Sequence, residues 1–147
     1  MKKITVIFTS ILIGNSAWGL TRDFDNHISV NPTNAAGHGI TFSYYAPIPA
    51  IITIEMPYVI DKAAFDQADL VVSAGEQHFK IPLRGEKNEK GKLTLAFWMD
   101  RKTLRLATLR IRFEEKGKLE GTVFVIQCKD FVSETQEPHN QPSDRTR

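Results

Sequence analysis

Five side chains stand out for chemistry when the chain is read in alternation: His78, Lys80, Trp98, Arg110 and Arg112. Each falls on the polar parity of an alternating run. Phe79, Ile81 and Leu83 point one way, with His78, Lys80 and then Arg84 on the other. Leu93, Leu95, Phe97 and Met99 oppose Lys92 and Trp98, and Leu109, Ile111 and Phe113 oppose Arg110 and Arg112. If these strands are neighbours in one sheet, they form a cationic face with an aromatic. Such a face suits an anionic partner through charge-assisted hydrogen bonds and stacking. The plainer alternative is a solvated sheet exterior whose cations meet Glu76 or Glu114, with Trp98 tucked under a loop. Either way Arg110 and Arg112 lie opposite the apolar set, and replacing both is expected to leave folding almost unchanged.

Other chemistry finds no linear motif. His27, His38, His78 and His139 are not spaced as metal ligands, and no Gly-x-Ser-x-Gly turn or phosphate-cradling glycine loop occurs. Ser73 and Ser133 have no histidine set beside them by a recognised motif. Glu55 is the one acid inside an apolar strand; it shares a face with Thr53 and reads as solvated. No catalytic residue, metal site or cofactor is therefore assigned. A site assembled from loops remains the alternative, with His27 and His38 both in the N-terminal segment.

The first nineteen residues concern destination. Lys2 and Lys3 precede an apolar run from Ile4 to Ile13, and Ala17 and Gly19 are small residues placed for cleavage after Gly19. The run is too short to span a bilayer, which needs roughly 20 apolar residues, so it reads as a removed signal peptide. The excess of 19 Lys and Arg over 17 Asp and Glu is Lys2 and Lys3 alone. Without them the chain is balanced, which argues against nucleic-acid binding. No later run is apolar enough for a membrane span. Cys128 is the single cysteine, so no internal disulfide can staple the fold. Its parity with Phe124 and Ile126 predicts burial.

The elements that position these residues are mostly strands. Residues 20–39 read as a polar loop segment in which His27–Val30 can form a short edge strand. Ile40–Ala46, Ala50–Met56, Leu70–Ala74, Gln77–Leu83, Leu93–Met99, Ala107–Phe113 and Thr122–Cys128 carry strand patterning. Asp61 is placed to cap a two-turn helix through Ala68, and Asp100–Leu106 is either one helical turn or a bent strand. Residues 133–147 are polar and read as a disordered tail. Residues 40–132 thus form an antiparallel β-sandwich of seven to eight strands with one or two short helices, an immunoglobulin-like arrangement being the leading form. The expected product is an exported periplasmic or secreted protein, a binding, inhibitor or accessory module for another envelope protein or an anionic envelope component. An envelope enzyme with a loop-assembled site is the competing class.

Overall fold

Alternating side chains leave one face of each strand to be buried, and two sheets laid face to face satisfy that requirement. A computed structural model describes residues 24–45 and 50–132. The expected signal peptide and the polar tail lie outside the described residues. The strands are β1 (Asn26–Val30), β2 (Thr41–Tyr45), β3 (Ala50–Pro57), β4 (Val59–Ile60), β5 (Ala63–Ala74), β6 (Gln77–Leu83), β7 (Gly85–Lys87), β8 (Lys92–Met99), β9 (Ala107–Glu114) and β10 (Gly121–Gln127), with one helix, α1 (Arg101–Arg105), between β8 and β9. The larger sheet runs β1-β10-β9-β5, with β4 and β6 sharing the remaining edge of β5; the smaller runs β2-β3-β8-β7. The fold is mainly β and sandwich-like. β1 joins β10 in parallel, whereas all other pairings are antiparallel. The short edge strand read at His27–Val30 is β1, at the edge of the larger sheet.

Ile52, Ile54, Met56, Leu93 and Leu95 of the smaller sheet meet Leu70, Leu109, Ile111, Phe113 and Phe124 of the larger in one core. Asp100 caps α1, its Oδ1 accepting from the Thr103 amide at 2.9 Å, and Leu104 is buried beneath the helix. The hydrogen bonds from Thr103 hold the Asp100 carboxyl below its ordinary pKa.

The helix expected over Asp61–Ala68 is instead a hairpin. Asp61 and Lys62 have φ of 46° and 72°, turning the chain from β4 into β5. The alanines and absence of glycine favour helix locally, but pairing along β9 overrides that preference. The register shifts between Phe65 and Gln67, making Asp66 the extra residue of a bulge. The last strand ends at Gln127, and buried Cys128 opens a 3-10 turn.

Two crossings close one side of the sandwich. β3 leads to β4 through Tyr58, and β6 leads to β7 through Arg84, so each passes from one sheet to the other across a single residue. Gly85 fits that corner because a Cβ there would lie 2.6 Å from both Phe65 and Leu93.

Candidate functional site

The five singled-out side chains do not share a face. His78 and Lys80 (β6) and Arg110 and Arg112 (β9) belong to the larger sheet, whereas Trp98 (β8) belongs to the smaller. The cationic face with a stacked aromatic is therefore corrected at Trp98, which the topology places on the other sheet, while the four cationic side chains share the outer parity of the larger one.

The arginines are also neutralised. Arg110 lies opposite Asp69 on β5, and its Nε donates to Asp69 Oδ1 at 3.2 Å. Burial raises the Asp69 pKa despite the opposing hydrogen bond and charge of Arg110. Arg112 is only 1% exposed. Its Nε and Nη2 grip Asp25 at 2.9 and 3.2 Å, while Nη1 donates to Asp66 at 2.7 Å and also to Glu114. Hydrogen bonding to Asp25, then to Glu114 and Asp66, raises the guanidinium pKa further.

Three local features build this cluster. The β5 bulge adds Asp66 beside the Gln67–Arg112 pair. Gly121, across the ladder from Glu114, leaves room for the guanidinium, since a Cβ would come within 2.7 Å of Arg112 Nη2. Asp25, just before β1, accepts from the Gly121 amide at 2.9 Å. Arg112 is thus a buried tie between the start of the domain and two central strands. Its burial overturns the expectation that it decorates a solvated exterior, although the expected pairing with Glu114 is present; Asp25 lies 87 residues away, and no local pattern announces it.

On the hairpin of β5 and β6, Ser73 Oγ and His78 Nδ1 lie 3.0 Å apart. Their cross-strand pairing around Gly75–Glu76 produces the contact, and a hairpin register is the sequence signal that finds it. The pair is solvent-exposed. Glu55 and Thr53 share the half-exposed outer face of β3. Among the described residues, no group of three His, Cys, Asp or Glu side chains could hold a metal.

Among the described residues, a cavity and an open sheet face stand out as places for a partner. The first is a cavity of about 500 Å³ at one end of the sandwich, walled by Ile28, Phe113 and Phe124 and carrying His38, Asp61 and Glu120. Glu115 and Lys118 also line it, but they pair with each other at 2.6 Å. The second is the outer face of the smaller sheet. Tyr45 of β2 is opposite Ile51 of β3, which is opposite Trp98 of β8. These three large side chains are 70%, 46% and 74% exposed, forming one row across three strands. Neighbouring strands lie about 4.8 Å apart, so the row is contiguous. Beside it run Ser43, Thr53 and Ala96, small side chains that keep the platform low. Trp98 is therefore outward, as its parity predicts, with apolar neighbours rather than cations.

No helix among the described residues is long and apolar enough to cross a membrane. No protein-family model matches the chain, and comparison with curated proteins gives no match either.

Proposed function

We propose that the chain is exported, loses residues 1–19, and acts in the cell envelope as a non-enzymatic binding, inhibitor or accessory module for another protein. The observation that carries this reading is the exposed Tyr45–Ile51–Trp98 row. Aromatic side chains bring large contact area with few rotors to order, and tyrosine and tryptophan dominate binding hot spots. The carboxylate partners of Arg110 and Arg112 move the reading away from an anionic component and toward a protein.

The test is crosslinked capture from the native envelope by mature wild type and by the Tyr45→Ser, Trp98→Ser double variant. Both side chains are mostly exposed, so the variant should melt with the wild type and capture at least tenfold less partner. Equal capture by a folded variant would remove the row from consideration. The cavity beside His38 supports the competing enzyme reading, because titratable groups meet an apolar wall there. Turnover of an envelope substrate that His38→Ala abolishes would favour that reading.

A further inference from the structure

The core rows of the larger sheet run out of cover at β6. Val30, Ile126, Leu109, Leu70 and Ile81 stand side by side across β1, β10, β9, β5 and β6. The first four are at most 1% exposed, but Ile81 is 41% exposed. The next row behaves alike: Ala107 and Val72 are buried, and Phe79 beyond them is 53% exposed. Phe79 and Ile81 thus face inward from an edge strand with too little of the smaller sheet over them.

The smaller sheet lacks backbone at the same corner. β7 pairs only with Leu93–Leu95 of β8, because the chain departs at Arg84 into the larger sheet. Among the described residues, Ala96–Met99 has no strand on its β7 side. The two edges differ in how they meet an incoming chain. β6 carries Lys80 and Pro82, which blunt strand addition, whereas Ala96-Phe97-Trp98-Met99 has neither charge nor proline. Because β6 crosses through Arg84 into β7 beside β8, the gap is an open strand position in the smaller sheet on the side of the edge that carries Phe79 and Ile81.

We infer that β8 accepts an extended segment of a partner protein, added alongside Ala96–Met99, with apolar side chains at alternate positions and acidic residues at its flanks. Main-chain hydrogen bonds to β8 supply affinity and alternate side chains supply selection. Inward side chains cover Phe79 and Ile81; outward ones lie beside Trp98. The acidic flanks follow from charge: Arg84, whose 91% exposed side chain meets Glu86 only at 3.9 Å, stands where β6 crosses to β7, and exposed Lys102 follows β8. Residues 133–147 offer no apolar side chain except proline, so the alternating apolar segment is assigned to another protein. This inference rests on the proposed binding role and specifies the partner's chemistry.

The test selects a displayed library of random decapeptides on the full mature chain, then titrates the enriched peptides against wild type and the Phe79→Ser, Ile81→Ser double variant. Both side chains are substantially exposed, and a thermal melt confirms that the variant folds. The expected peptides alternate apolar residues between acidic flanks, bind the variant at least tenfold more weakly, bind less well in high salt, and slow amide exchange at Ala96–Met99. Absence of enrichment, equal binding to the variant, or protection of another strand overturns the inference. A dimer that the double variant dissolves also overturns it, making the occupant a second copy of this chain. Envelope capture that depends on Tyr45 but persists in the Phe79, Ile81 variant leaves the binding role standing while strand acceptance fails. Loss of Tyr45 dependence with peptide binding intact gives the reverse.

Discussion

Arg112 shows how far one side chain's role can lie from its parity. Alternation puts it outside the core, but three carboxylates and a glycine bury its head. Removing one partner of a buried ion pair leaves the other unpaired, at a cost of about 3–5 kcal/mol. Arg112→Gln should destabilise by that order, because Asp25 has a 0% exposed side chain and would remain buried. Arg110→Gln strips a single carboxylate and should cost about 1–3 kcal/mol. Urea unfolding of the two variants checks the ranking; a near-neutral Arg112→Gln would mean the cluster relaxes into water. Cys128 makes a separate prediction. Burial pushes its thiol up to about 12, so native protein should resist thiol reagents that label it once unfolded. The folded pKa is raised, so its contribution to stability is complete below the unfolded value and lost as pH rises through the folded one. Between about pH 9 and 12, wild type should lose roughly 1.4 kcal/mol per pH unit relative to Cys128→Ala. Parallel pH profiles for the two proteins would place the thiol in contact with solvent.

At the scale of elements, the turn between β4 and β5 stores backbone cost. Lys62 has φ of 72°, and left-handed conformation costs a non-glycine residue roughly 1–2 kcal/mol. Lys62→Gly should therefore stabilise by about 0.5–1 kcal/mol after the entropy that glycine adds to the unfolded chain. Chemical denaturation reads this directly, and a destabilised variant would show that the lysine side chain matters there. The same turn explains where the sequence was legible. Strands such as β3 and β8 announce themselves because one face is buried and the other wetter, and β9 because its outer face is polar, so period two survives in their residues. β5 hides that period: the Asp66 bulge shifts its alternation, and Asp69 puts a charge in its middle. The alanines at 63, 64 and 68 then resemble a helix. β4 and β7 are too short to carry a pattern, being set by sheet crossings rather than by local preference. The Tyr45–Ile51–Trp98 row was half legible. Parity points each residue outward, but only the register between strands aligns them.

For the whole molecule, the proposed export and the proposed binding face meet in one spectroscopic property. The chain has two tryptophans, Trp18 and Trp98, and the first falls within the segment proposed to be removed. Mature protein recovered from the periplasm should begin at Leu20, and its tryptophan fluorescence should then come from Trp98 alone. A side chain 74% exposed on an open sheet face is solvated, so emission should sit at the long-wavelength, water-exposed position and quench readily with acrylamide. Unfolding should shift it little. Partner binding should displace water from the ring, moving emission to shorter wavelength and protecting it from quencher, while Tyr45→Ser weakens that response. The sign follows from geometry, because contact with another surface buries Trp98 without unfolding β8. Short-wavelength emission from the free mature protein would show the ring already covered and would remove Trp98 from the binding face.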